Sequence, residues 1–393
     1  MALSALGADA TAGLEVRKLD RAQAGTRASE WNHLAAKVPI ASIFLTWEWI
    51  DSWWTHFGAP YTPCLLVVER GEELLAILPL AGKWVSPRRD GLFGRVLFLC
   101  GSEEVCPDHL DLLAAPGDAA ACLAAIARYL RASERAWEVI DLSGIAAEGN
   151  LDRNRALLEE VFAARRSVLA LAPYATIQGT YAEHLARLSA KKRYNLNRGV
   201  RLLEQEGVRY LSVAPAAAAG FMSKFFALHA RRAATKGILS TFAGERLLAF
   251  HTEVLERTAA NGWHWNRELR ADRGMIAGLY GYLFAGRMSY YQIAIDPSWD
   301  RWSPGTSLIH LSLVDAHAGG IQEFDFLRGE EEYKDRWATG KRPVLRLRLF
   351  NNTPAGLLAR LFGSIHGLLR RVRDRSSRRV RSRELQAPGP ELE

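Results

Sequence analysis

The stretch EFDFLRGEEEYKDRW (Glu323–Trp337) gathers carboxylates, a phenol and an ammonium group within a few residues. Its first part alternates like a strand, so Glu323 and Asp325 project to one face and Phe324 and Phe326 to the other. Arg328-Gly329 then turns the chain, and Glu330, Tyr333 and Lys334 leave from the strand's carboxyl end. Such groups can serve as base, acid and charge stabiliser in a transfer reaction; structural ion pairing is the alternative reading of each. Asp325 is the expected general base, with Glu330 its rival. Arg328 is the expected anchor for an acceptor carboxylate or phosphate, because a planar guanidinium fork fits both.

A second constellation lies just upstream, in SPGTSLIHLSLVDAHAGG (Ser303–Gly320). Proline pre-sets the backbone for a helix start, and glycine lets that backbone approach another molecule closely. The first amides of a helix lack internal partners and sit at the positive end of its dipole, so this entry can cradle a pyrophosphate. Ser303, Gly305, Thr306 and Ser307 are the candidate contacts. His310 and His317 share a face of the same helix with Leu313 and Val314, which reads as packed, hydrogen-bonded histidine rather than metal ligand. His229 with Arg231, Arg232 and Lys236 either meets an anionic acceptor or forms a solvated helix face. Lys191, Lys192, Arg193, Arg198 and Arg201 spread around their helix, which argues against a continuous nucleic-acid track but leaves room for one phosphate contact.

The elements that must position these groups form a repeat. CLLVVERGEELLAILPLAG (Cys64–Gly82) reads as a hairpin around Arg70-Gly71, followed by strand-like RVLFLCG and HLDLLAAPG, a helix over Asp118–Glu134, and the strand WEVIDLSG. In the second half, hairpin turns at Asp272-Arg273-Gly274 and Ala285-Gly286 precede the Ser303 helix and the strand IQEFDFLRG. Hairpin, strand, helix, strand thus occurs twice, with Pro173 between the copies, which predicts an α+β fold of two tandem lobes. The Pro-Gly helix entry is assigned to the second copy alone, the matching place in the first being APGDAAACL; one working lobe and one supporting lobe are expected. The aromatic helix FLTWEWIDSWWTHFG (Phe44–Gly58), capped at Thr46, is read as core.

Composition bounds the rest. A chain of 393 residues with 49% hydrophobic residues can bury two cores. No apolar run reaches the ~18 residues of a membrane span, and the first residues lack the basic flank of a secretory signal, so a cytoplasmic protein is expected. Cys64, Cys100, Cys106 and Cys122 form no CxxC pair and no metal site, and are read as reduced, mostly packed thiols. From Lys341 onward 13 Lys and Arg face 4 Asp and Glu, so the net charge of +8 belongs to the tail and the preceding 340 residues are near −1. There, Leu357, Leu358, Leu361, Phe362, Ile365, Leu368, Leu369 and Val372 fall within an arc of roughly 140° on a helix. Nine Arg follow between Arg360 and Arg383. Residues 354–383 therefore either lie on an anionic membrane surface or dock on the protein's own second lobe.

The Ser-Pro-Gly entry together with FDFLRG...YK..W (Phe324–Trp337) resembles the BcsL-type, or CelD-like, acetyltransferase family of the GNAT superfamily, bacterial proteins associated by name with cellulose and exopolysaccharide synthesis. The likeness extends to LTWEWIDSWW, to LSAKKRYNLNRGVRLLEQEG and to FFALHARRAATKG, and spans about residues 15 to 340. It implies two GNAT-like lobes of mixed sheet flanked by helices, related to FemAB-type transferases, with acetyl-CoA or another acyl-CoA held at the Gly305 helix. Trp302 stands where the superfamily places Gln or Arg, with Arg301 one step early. By the same resemblance Tyr333-Lys334 matches an aromatic-Lys pair at the reacting centre, Lys334 steadying the oxyanion or phosphates and Tyr333 protonating the leaving thiolate.

These readings give residues 1–13 as a flexible N-terminus, 14–172 as the supporting lobe, 173–350 as the acyltransferase lobe and 351–393 as an amphipathic helix with an Arg-rich tail. The expected activity is direct transfer of an acyl group to an amine or hydroxyl of a small-molecule or saccharide-linked acceptor, with His229, Arg232 and Arg328 binding that acceptor and no metal involved. Two alternatives stay open: a FemAB-like transferase using aminoacyl-tRNA, and an inactive scaffold attending a membrane polysaccharide synthase.

Overall fold

The computed structural model describes residues 11–87, 92–133, 136–240, 242–329 and 331–362. The first half supplies β1 (Leu14–Leu19), β2 (Thr62–Arg70), β3 (Glu73–Val85), β4 (Gly94–Leu99), β5 (Leu113–Ala114), β6 (Val139–Ala146) and β7 (Ala163–Thr176). The second supplies β8 (Arg209–Ser212), β9 (Arg267–Ala271), β10 (Gly274–Phe284), β11 (Arg287–Ile295), β12 (Glu323–Asp325) and β13 (Gly340–Phe350). The main helices are α1 (Trp47–Phe57), α2 (Pro116–Ala132), α3 (Ala190–Gln205), α4 (Ala218–Thr235), α5 (Glu245–Ala260) and α6 (Pro304–Ala318).

Local chemistry explains most of these boundaries. Gly71 turns β2 into β3 with a positive φ of 60°, and Thr46 caps α1 by accepting from the Trp49 amide. The stretch YAEHLARLSAKKRYNLNRGVRLLEQEG, whose pattern reads as one helical run, forms two helices, a short one over Tyr181–Ala186 and α3, which Ser189 caps by accepting from the Lys192 amide. The aromatic face of α1 is core, as read from its spacing. Trp47, Trp49, Ile50, Trp53 and Trp54 are all buried.

Among the described residues the strands form one mixed sheet in the order β1-β2-β3-β4-β6-β13-β7-β12-β11-β10-β9-β8, with β5 beside β3. The two lobes are visible as two parallel pairs. Val96–Phe98 of β4 run beside Val139–Asp141 of β6, and Arg287–Ser289 of β11 beside Glu323–Asp325 of β12. A helix crosses between the strands of each pair, α2 in the first and α6 in the second.

The expected asymmetry between the helix entries is not in the Pro-Gly itself. Both α2 and α6 begin on that dipeptide, at Pro116-Gly117 and Pro304-Gly305. They differ in their surroundings. A side chain at Gly117 would meet open space, whereas one at Gly305 would run into the Ile295 Cδ1.

The lobes also exchange their last strands. β13, at the end of the second lobe, pairs antiparallel with β6 of the first from Val344↔Ala146 to Phe350↔Val139. β7, at the end of the first lobe, pairs with β12 of the second from Tyr174↔Asp325 to Thr176↔Glu323. β7 and β13 then pair with each other from Gly340↔Tyr174 to Phe350↔Ala163. Pro173, read from the sequence as lying between the lobes, is inside β7.

Helices seal the same joint. Trp49 of α1 meets Phe250 and His251 of α5 edge to face, together with Tyr282 and Tyr291. Around this packing Arg257 pairs with Asp51 at 2.8 Å and His56 with Glu253 at 2.8 Å.

Cys64, Cys100 and Cys122 are buried free thiols, and Cys106 is exposed. Of the expected C-terminal amphipathic helix only residues 354–362 are described; they are helical, with Leu357, Leu358, Leu361 and Phe362 exposed. The remainder of that segment lies outside the described residues. Among the described residues no helix is long and apolar enough to cross a membrane.

Candidate functional site

β11 and β12 are paired only over three residues: β12 stops at Asp325 and the chain turns at left-handed Leu327, while β11 runs on to Ile295, which leaves a fork between them. β11 also carries a bulge. Gly281 opposes Tyr290 and Tyr280 opposes Gln292, which leaves Tyr291 as the extra residue. The bulge sends Tyr291 toward the first lobe, where its hydroxyl donates to the Val105 carbonyl at 2.8 Å.

Beyond Ile295 the chain passes through a short 3-10 turn (Pro297–Trp302) and enters α6 through Ser303, a left-handed residue with φ 53°. Helix α4 clips this entry: Arg231 pairs with Asp296 at 2.7 Å and Arg232 with Asp300 at 2.8 Å. In the first turn, the Thr306 and Ser307 amides both return to the Ser303 carbonyl. Among the described residues the Gly305 amide has no acceptor, and Ser303 makes no side-chain cap. Ser307 is buried, with its Oγ against the Gly199 position of α3. Of the four residues expected to contact a phosphate, Gly305 is buried with its amide unpaired, Ser307 is buried, Ser303 is exposed and Thr306 half-buried.

On the other arm of the fork, Asp325 is not an open carboxylate. It is fully buried, faces His109 Nε2 of the first lobe at 2.8 Å, lies 3.6 Å from Arg342, and accepts from the Leu327 amide at 2.8 Å. Burial pushes its carboxyl up, but His109, Arg342 and the Leu327 amide outweigh that and hold it below the usual range. His109 is itself left-handed, with φ 57°, and among the described residues both of its ring nitrogens are buried without a hydrogen-bond partner, the 2.8 Å approach to Asp325 being a close contact of unfavourable hydrogen-bond angle.

Arg328 is likewise engaged, not open to an acceptor. Its backbone amide donates to Asp108 Oδ2 at 2.6 Å, its Nη2 to the Pro107 carbonyl at 2.6 Å, and its Nε to the same Asp108 carboxylate. Both carboxylate and carbonyl come from the first lobe, so the guanidinium joins the lobes. Lys334 is buried, donating to the Arg328 carbonyl at 2.9 Å and pairing with Glu331 at 3.1 Å. The Tyr333 hydroxyl lies 3.2 Å from that of Tyr290, the first β11 residue past the pairing. Burial pushes the Tyr333 phenol up to about 12, so it stays protonated at neutral pH and available as a donor.

The structure therefore brings Asp325, Arg328, Tyr333 and Lys334 to one arm of the fork. Arg232 belongs to the helix entry, held by Asp300. His229 bonds Ser240 Oγ at 2.8 Å, and burial, with Arg232 and Lys236 nearby, pulls its pKa down. Glu330 lies outside the described residues. Asp108, His109 and Tyr290 were not singled out from the sequence. The first two sit at the front of the HLDLLAAPG region, where only Leu113–Ala114 is strand, and nothing in their spacing announces a partner more than 200 residues on.

Residues 190–335 match the acetyltransferase (GNAT) domain. The matched segment contains α3, the fork, α6 and the Tyr333-Lys334 pair, while Asp108 and His109 lie outside it. No curated protein matches the chain. Among solved structures, FemX superposes with a TM-score of 0.61 at 10% identity, covering 85% of this chain and 96% of that one. The C-terminal domain of a putative lysylphosphatidylglycerol synthetase from Agrobacterium fabrum gives 0.54 at 13% identity, over 86% and 94%. A conserved protein of unknown function from Bacteroides thetaiotaomicron gives 0.53 at 11%, over 86% and 100%. These likenesses establish a GNAT-like fold across both lobes.

Proposed function

We propose that this chain is an acyltransferase that moves an acyl group, acetyl in the simplest case, from acyl-CoA to an amine or hydroxyl acceptor. The observation that carries this reading is the separation of β11 from β12 beside the entry of α6. A parallel pairing that ends after three residues leaves β11 without a strand neighbour on that edge. There the Ile293 amide meets, among the described residues, only the Gln292 side chain at 3.0 Å and could turn to a thioester carbonyl, and the unpaired Gly305 amide lies at the positive end of a 15-residue helix. The Ser303 and Thr306 hydroxyls extend the same pyrophosphate contact.

In the reaction, the acceptor nitrogen or oxygen attacks the thioester carbon and the C–S bond breaks. Glu330, the second candidate base read from the sequence, takes the acceptor's proton and Tyr333 protonates the thiolate, so the net proton passes from acceptor to thiol. Lys334 acts through the turn it closes on Arg328. The sequence resemblance adds a saccharide-linked or cell-envelope acceptor and peripheral membrane contact as further parts of the proposal.

Thr306→Asp tests the donor site. A carboxylate in the first turn favours the helix by about 0.3–1 kcal/mol, while the same charge repels a pyrophosphate. The expected result is a melting temperature unchanged or raised, with CoA affinity lowered ~10-fold or more in calorimetric titration, about 1.4 kcal/mol. Wild-type CoA affinity in this variant removes the phosphate contact at α6.

A further inference from the structure

A cleft of about 260 Å³ opens behind the Tyr333-Lys334 segment, between the first turn of α3 and the residues that follow Lys334. His184, Arg187, Lys192, Asp335 and Arg336 contribute to its walls. The cations are unbalanced. Arg187 donates one bond, to the Ala338 carbonyl at 3.0 Å, and has no carboxylate partner among the described residues. The side chains of Lys192 and Arg336 have neither a carboxylate nor a hydrogen-bond partner there. The one carboxylate at the wall, Asp335, pairs outward with Lys341 at 2.8 Å.

We infer that this cleft binds a phosphate or pyrophosphate group, and that the group belongs to the acceptor. Arg187, Lys192 and Arg336 all line one concave space, and a phosphate there offers charge-assisted hydrogen bonds to cations that have no carboxylate partner of their own among the described residues. The geometry is matched on the floor. His184 is buried against Tyr181, with ring centroids 6.0 Å apart and planes 14° from parallel. Burial first, then the charges of His317 and Arg187, pull its pKa to about 4, so at neutral pH it does not add a fourth charge. The first turn of α3 is bracketed by the cleft-lining Leu188 and Lys192, and its dipole favours the same sign of ligand.

The assignment to the acceptor rests on the acyltransfer reading. Arg336 follows Tyr333 by one helical turn, so the cleft lined by Arg336 and the fork reached by the Tyr333 hydroxyl adjoin, and one molecule can hold its phosphate in the cleft and offer its nucleophile to the fork. The phosphate can arrive on a soluble ester or diphosphate or on a lipid headgroup; the chemistry recognised is the same.

The test uses the full chain. Pyrophosphate is titrated calorimetrically, and phosphatidylglycerol vesicles are co-sedimented, with wild type, with the pair Lys192→Glu and Arg336→Glu, and with the pair Lys224→Glu on α4 and Arg273→Glu on the β9–β10 turn as a charge-matched control. Saturable binding in either arm that weakens ~10-fold or more in the double variant, but not in the control, is the expected result, since each charge-assisted bond contributes about 1.5–3 kcal/mol. The arm that responds identifies the source of the phosphate. Absence of binding in both arms, or binding that the double variant leaves unchanged, overturns the site. CoA affinity is read in the same samples, so loss of the phosphate site and failure of the donor-site reading are separate outcomes.

Discussion

Asp325→Asn is expected to lower folding stability by about 3 kcal/mol at neutral pH, the lower part of the range for breaking a buried ion pair by removing one partner. The lower part applies because Arg342 keeps Glu323, with bonds of 3.1 and 2.9 Å, when Asp325 is neutralised. The isosteric amide still accepts from Leu327 but no longer carries the charge that His109 and Arg342 face. The pH dependence separates this charge effect from simple repacking. Asp325 has a folded-state pKa held below its ordinary value, so its contribution is present above about pH 4 and disappears as pH falls through the folded pKa. Urea denaturation at pH 7 should therefore show the full difference between wild type and variant, and the gap should close toward pH 3. An equal gap at both values, or a gap under ~1 kcal/mol at pH 7, would show that the His109–Asp325 contact does not join the lobes energetically.

Separating the chain at the loop after β7, into residues 1–178 and 179–393, is expected to give two pieces that do not fold alone. The first piece keeps β7 but loses both β12 and β13 as its neighbours. The second keeps β13 without β6 and β7. Val344, Leu345, Leu347, Leu349 and Phe350 are all buried at that seam, and at about 1.5–3 kcal/mol per side chain their exposure approaches the whole stability of an ordinary domain. Circular dichroism of each piece should show no cooperative melt, while the intact chain should unfold in one transition and co-expression of the pieces should restore it. Two independent sigmoidal melts from the separated pieces would contradict the exchange.

Local signals carried far in this sequence. Thr46 before the aromatic face of α1, Ser303-Pro304-Gly305 before α6, and Gly71 and Gly274 in their turns each act within a few residues, so their elements were readable. The repeat was readable for the same reason, since each copy is built from contiguous elements. The exchange of β7 and β13 was not. Both strands look like ordinary strands, and the choice of neighbour depends on which distant edge is bare. The site divides along the same line. Tyr333 and Lys334 could be singled out because they adjoin a strand end, whereas the engagement of Asp325 and Arg328 could not be read because their partners, His109 and Asp108, come from another lobe. An open carboxylate and one already holding a histidine have the same sequence.

The exchanged strand also sets an order on synthesis. When Ala146 leaves the ribosome, the outer edge of β6 has no partner, and the strand that will cover it, ending at Phe350, follows about 200 residues later, on the order of 10–40 s at bacterial elongation rates. Throughout that interval the nascent N-terminal lobe carries a bare, apolar strand edge, the kind of surface on which chains stick to one another.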